Sequence, residues 1–183
     1  MEKYAKLLAV FDRVSTIHSR TKTQKIFYVL KSLGFGVPER YEYRNFGPYS
    51  EDLASELRSL VNSEFLDETE VEGEEEERGA APYQRYDLSI TPRGEGFLRG
   101  FEGQEPDFSA ATQPMADLAE QLDEYRPADL ELIATLMFLQ DQGYPEKNIV
   151  PTLKSLKPQF TNGEIDRARA IISDLRARFR RGD

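Results

Sequence analysis

Few residues in this chain are equipped for chemistry. It has one histidine, His18, and no cysteine. The absence of thiols excludes disulfides, thiolate zinc sites and cysteine nucleophiles together. One imidazole makes a Ser-His-Asp arrangement a poor expectation, and no Gly-x-Ser-x-Gly elbow occurs. His18 lies in a polar link and reads as a solvated side chain. Gly94-Glu95-Gly96 sits inside a helical start, whereas a phosphate-cradling G-x-G-x-x-G follows a strand. With 33 carboxylates, acidic pairs arise by chance, and they could hold a hard cation only loosely. The expectation is therefore no catalytic residue, no metal and no cofactor.

Two sets of residues could recognise something instead. Tyr43, Arg44, Tyr49 and Arg58 combine aromatic and guanidinium groups of the kind that dominate protein interfaces. Lys22, Lys25, Lys31 and Arg40 form a modest basic set for a nucleic acid, and Tyr41, Tyr43 and Tyr49 could stack on its bases. The ordinary alternative for these tyrosines is strand and core packing. Tyr49 has two readings: a buried ring packed on Leu53, or an exposed ring touching a partner.

Charge limits the second set. The net charge is −9, but residues 1–63 carry +3 and residues 130–183 carry +2, so the acidity lies between them. A net acidic chain lacks the bulk attraction to phosphate of a generic nucleic-acid binder. The acidic run of residues 72–78 repels itself and reads as a solvated loop, with a cation- or partner-docking strip as the alternative. The charged N-terminus and the lack of a long apolar run predict no signal peptide and no membrane segment. Together with the absence of cysteine, this fits a cytoplasmic protein.

The elements that would position these residues can be taken from periodicity. Tyr4, Leu7, Leu8 and Phe11 predict a helix over residues 2–14. Thr21 and Gln24 match a capping box opening a second helix, which stops at Gly34. Residues 41–46 read as extended, and Gly47-Pro48 as a turn. Ser50 then caps a third helix with Leu53, Leu57, Leu60 and Val61 on its buried face. Strands are expected from Phe65 to Val71 and from Tyr83 to Ile90, forming a two-stranded wing. Thr91 and Pro92 restart a helix as N-cap and N1. Residues 102–114 read as a linker.

Beyond the linker the chain reads as helical. Helices are expected around residues 115–122, from Pro127, around residues 149–156 with Pro151 a disturbance, and after a cap at Thr161 or Asn162. The helix from Pro127 is apolar on most sides and should be buried. The fold class expected is α+β, mostly α: a winged-helix-like domain over residues 1–102 and a helical C-terminal part over 113–183.

Several motifs resemble a known family. Phe46-Gly47-Pro48-Tyr49-Ser50, with Leu53, Leu57 and Leu60 behind it, resembles the hallmark of Panacea and SocA-type antitoxin domains and of the related YwgA-like prokaryotic proteins. Gln24-Lys25-Ile26 and Phe27-Tyr28-Val29-Leu30 are similar to the helix preceding that motif. Leu88-Ser89-Ile90-Thr91-Pro92-Arg93-Gly94 resembles the strand-to-helix L-T-x-x-G of winged-helix proteins. The later Leu130-Glu131-Leu132-Ile133-Ala134-Thr135, Lys157-Pro158 and Phe160-Thr161 are similar to the YwgA-like group. The resemblance implies a winged-helix-like, non-enzymatic protein-interaction module, antitoxin-like or regulatory, with a protein as partner. The alternative is a winged-helix transcription regulator binding DNA, and a homodimer is compatible with both. Against DNA, the helix at residues 50–62 would meet phosphate with Glu51, Asp52 and Glu56, and only Arg58 is basic.

Overall fold

The computed structural model describes residues 1–72 and 84–179. In chain order the elements are α1 (Glu2–Val14), β1 (Thr16–Ile17), α2 (Arg20–Ser32), β2 (Glu42–Arg44), β3 (Gly47–Tyr49), α3 (Glu51–Asn62), β4 (Leu66–Glu72), β5 (Gln84–Ile90), α4 (Pro92–Gln104), α5 (Phe108–Asp123), α6 (Pro127–Asp141), α7 (Glu146–Leu156) and α8 (Asn162–Phe179). The class is α+β, mostly α. No helix among the described residues is long and apolar enough to cross a membrane. The acidic run of residues 72–78 falls almost wholly outside the described residues, as does Tyr83.

The chain makes two compact units, each from two separate stretches. The first is Met1–Thr23 with Glu51–Asp123, and the second is Gln24–Ser50 with Glu124–Asp183. The parting expected between residues 102 and 113 falls inside the first unit.

In the first unit, α1 packs against α4 and α5. Ala5 and Ala9 bring α1 close to Leu98 and Phe108, with Phe97 and Phe101 against the same cluster. The sheet has the order β1-β5-β4, antiparallel throughout, with Leu66 opposite Ile90 and Ile17 opposite Leu88. Thr91 caps α4 as expected: its hydroxyl accepts from the Gly94 amide at 3.0 Å, and Pro92 occupies the first turn. The L-T-x-x-G glycine has a steric cause. A Cβ at Gly94 would lie 2.2 Å from the Phe65 carbonyl oxygen, which accepts from the Thr91 amide.

In the second unit α6 is buried from Leu130 to Leu139 except at Glu131, and α7 and α8 pack against it. This is the burial its all-round apolarity predicts. Thr161 and Glu164 close a capping box at the start of α8: the Thr161 amide donates to Glu164 Oε2 at 2.7 Å, and Thr161 Oγ1 accepts from the Glu164 amide at 3.3 Å.

Several local expectations need correction. Gly47-Pro48 is no turn but part of β3, and the reversal falls at Asn45-Phe46. The Thr21–Gln24 capping box does not form: Ser19 Oγ accepts from the Lys22 amide at 3.1 Å, and Gln24 is used elsewhere. The linker shrinks to residues 105–107, because α5 begins at Phe108 and runs through Pro114. An interior proline costs a helix about 3 kcal/mol, and α5 offsets it by burying Phe108, Met115, Leu118 and Leu122. Likewise α7 runs through Pro151.

Candidate functional site

The Phe46-Gly47-Pro48-Tyr49-Ser50 motif builds the second half of a β-hairpin. Glu42 pairs with Tyr49, Tyr43 with Pro48 and Arg44 with Gly47. Opposed residues of an antiparallel pair share a face. One face therefore carries Glu42, Arg44 and Tyr49. Arg44 Nε donates to Glu42 Oε1 at 2.6 Å, and its guanidinium lies 4.5 Å from the Tyr49 ring centroid. The other face carries Pro48, buried, and Tyr43, whose ring is 5.9 Å from that of Phe138 on α6. At the tip, Phe46 is 63% exposed.

Side chains from α2 and from the end of α7 grip the hairpin backbone. Gln24 bonds twice to Ser50, donating from Nε2 to its carbonyl and accepting its amide at Oε1, each at 2.9 Å. Lys25 Nζ donates to the Pro48 carbonyl at 2.8 Å. Lys157, just past α7, donates to the Asn45 carbonyl and pairs with Glu131 of α6 at 2.6 Å. Gly47 has φ +88°, and a Cβ there would stand 2.9 Å from Thr135 Oγ1 and 3.5 Å from Lys25 Cε. Glycine is needed both for the conformation and for the close approach.

The electrostatics follow from burial. Lys25 is only 2% exposed, and desolvation lowers its pKa to about 8; Glu131 opposes this and Lys157 adds to it. The Tyr43 hydroxyl is pushed up, first by burial and then by Glu131, against a smaller opposing effect of the Thr135 hydroxyl. Next to the hairpin, the Tyr28 ring meets Tyr41 edge-on at 5.0 Å, and its hydroxyl donates to Asp141 Oδ2 at 2.7 Å. Ser32 donates to the same oxygen at 2.6 Å. Burial, and then the Asp141 charge, raise the Tyr28 pKa above the ordinary phenol range.

No protein-family model matches the chain. The uncharacterized protein YwgA of Bacillus subtilis (strain 168) is 32% identical over 179 residues, which span 96% of this chain and 98% of that protein. The chain belongs to the YwgA family. The match runs through both units, so the hairpin and the helices that grip it lie within the aligned length.

In this YwgA-family chain, three of the four residues expected to touch a partner come together. Tyr43, Arg44 and Tyr49 share the hairpin, while Arg58 is exposed on α3 in the other unit. The basic set behaves differently. Lys22 is buried and pairs with Asp123 Oδ1 at 2.9 Å, and Lys25 is buried under the hairpin. Lys31 donates to the Val37 carbonyl at 3.1 Å, and Arg40 is exposed. As a set they make no exposed basic stripe, because the ammonium groups of Lys22 and Lys25 are turned inward to neutralise or hold buried acceptors. His18 is not merely solvated: Nδ1 lies 2.8 Å from Asp87 Oδ2, although the side chain remains largely exposed. Sequence reasoning passed over Gln24, Glu131, Thr135 and Lys157 as hairpin supports. Their one visible signal was a polar or charged side chain among apolar helix positions.

Proposed function

We propose that this protein is a non-enzymatic protein-interaction module of the winged-helix type, antitoxin-like or regulatory in role, that docks its partner on the β2–β3 hairpin. The observation that carries the reading is an exposed aromatic, Phe46, at the tip of a hairpin whose backbone is held along β3 and at its turn. A large apolar group held ready in one geometry loses little freedom on binding, which is what a hot spot requires. The Glu42–Arg44–Tyr49 stack supplies an amphipathic rim beside it. The succession α1-β1-α2, then α3-β4-β5 after the hairpin, with sheet order β1-β5-β4, supports the winged-helix assignment. The Phe46–Ser50 motif, similar to that of Panacea and SocA-type domains, supports the antitoxin-like one. The sole histidine is committed to Asp87 and cysteine is absent, which favours binding over catalysis.

Transcription regulation through DNA is the competing reading. Against it, Glu51 and Asp52 are exposed in the first turn of α3, where a recognition helix would meet phosphate. The test pairs two measurements. A photo-crosslinking amino acid at position 46 should give one discrete protein adduct in cells of the source organism. Replacing Phe46 by Ala should abolish the matching purified interaction without moving the melting temperature. Specific DNA binding at physiological salt, falling steeply as salt rises, would overturn the proposal.

A further inference from the structure

The outer edge of the wing is open. β4 is the terminal strand of the sheet, and among the described residues no strand pairs with its far side. Its seven residues lie in unbroken register with β5, from Leu66 opposite Ile90 to Glu72 opposite Gln84. The hydrogen-bond parity is fixed at one end. The Thr91 amide donates to the Phe65 carbonyl, whereas the Ile90 amide turns the other way, to the Ser15 carbonyl beside β1. Alternation along an antiparallel ladder then directs Asp67, Thr69 and Val71 toward β5. The backbone N–H and C=O groups of Leu66, Glu68 and Glu70 point to the open edge.

The side chains along this edge have one sign. Asp67 and Glu70 are exposed, on opposite faces of the strand, and Glu68 is half-buried through its bidentate pair with Arg20. A second β4 laid against this edge would set carboxylate near carboxylate, so the strand resists pairing with its own copy. A strand carrying lysine or arginine would meet Asp67 from one face and Glu70 from the other. We infer that the β4 edge is a docking site for an extended, basic segment of a partner protein, which adds to the sheet as a fourth strand by backbone pairing with Leu66, Glu68 and Glu70. This strand belongs to the other compact unit from the hairpin, and either assignment can fail without the other.

The experiment titrates the full-length isotope-labelled chain with a blocked heptapeptide, Val-Lys-Lys-Val-Lys-Lys-Val, whose lysines fall on both faces of an extended strand. Three controls are run: the same peptide with glutamate for lysine, a version N-methylated at every residue that cannot pair through either edge, and the double variant Asp67→Lys, Glu70→Lys. The expected result is amide shifts and slowed hydrogen exchange confined to residues 66–72, with exchange slowing most at Glu68 and Glu70. These effects should vanish with the acidic peptide, with the N-methylated peptide and in the double variant. Equal binding of the N-methylated peptide would reduce the interaction to charge alone and overturn the proposal. So would perturbations centred elsewhere, or none at all. Because Asp67 and Glu70 are exposed, the double variant should melt like the parent, which separates loss of docking from loss of fold.

Discussion

Lys25 holds its amine where a charge is costly, and pH should reveal it. In the fold it gives up its proton near pH 8, while in the unfolded chain it keeps the proton to 10.5. Between these values the unfolded state binds more protons, so raising the pH through the window favours the fold, by at most roughly 3 kcal/mol. Tyr28 and Tyr43 act the other way. Their folded values are raised above 10.0, so the unfolded chain deprotonates first and stability falls as pH climbs past that value. The urea midpoint should rise from pH 8 toward 10 and then turn down. Lys25→Met should flatten the rise while leaving the downturn; a rise of the same size in the mutant would refute the assignment. Gly94 carries a second residue-level prediction. The Phe65 carbonyl beneath it already accepts from Thr91 and cannot easily yield, so Gly94→Ala should destabilise by about 1–3 kcal/mol, read from chemical denaturation. Its place in L-T-x-x-G was visible in the sequence, but its cause, a carbonyl from another segment, was not. The same holds for His18: its polar neighbours suggested solvent, and its partner Asp87 is 69 residues away.

At the scale of elements, what was legible is what local chemistry decides. Thr91-Pro92 opens α4, Thr161 with Glu164 opens α8, and the apolar run after Pro127 is buried, each from residues within a few positions of one another. Elements decided by distant partners were misread. β1 has two residues, too few for any period, and exists because β5 pairs with it. Gly47-Pro48 has turn chemistry, yet it lies in β3, where Gly47 is required by its positive φ and by the close approach of Thr135 and Lys25. Gln24 fitted a capping box and instead holds Ser50, its partner 26 residues on. The clamp itself gives a prediction. Lys157→Met removes the donor to Asn45 and leaves Glu131 with its cation gone, so it should cost about 3–5 kcal/mol. Adding Glu131→Leu should recover much of that loss; strictly additive costs would show that the pair does not act as one unit. Helix α4 offers the opposite case. Gly96, Gly100 and Gly103 have nothing within 4 Å of where a Cβ would stand. Alanine at each should stabilise by about 0.5–1 kcal/mol, detectable as raised melting temperature.

At the scale of the whole molecule, the chain passes between two compact units more than once. Each compact unit takes one stretch from the N-terminal half and one from further along, so the chain crosses between units at residues 23–24, 50–51 and 123–124. Sequence periodicity marks helices and strands but says nothing about which of them pack. The consequence is testable by fragmentation. A fragment of residues 1–102 lacks α5, against which α1 packs, and so uncovers the side of α1 that carries Ala5 and Ala9. The same fragment contains the hairpin but lacks Glu131, Thr135 and Lys157, so the lower side of Tyr43 loses Phe138 and the Asn45 carbonyl loses its donor. The complementary fragment, residues 113–183, keeps α6, α7 and α8 but loses the buried face of α2, including Ile26, Phe27 and Leu30. Neither piece alone should give a cooperative thermal transition or protected amides. Mixed together, they should regain both if the break at residues 103–112 is the only damage, although α5 would then lack its first turn and Phe108. Including residues 103–112 on the first fragment as well should improve that recovery. A fragment of residues 1–102 that melts cooperatively by itself would refute the interleaved division and restore two consecutive domains.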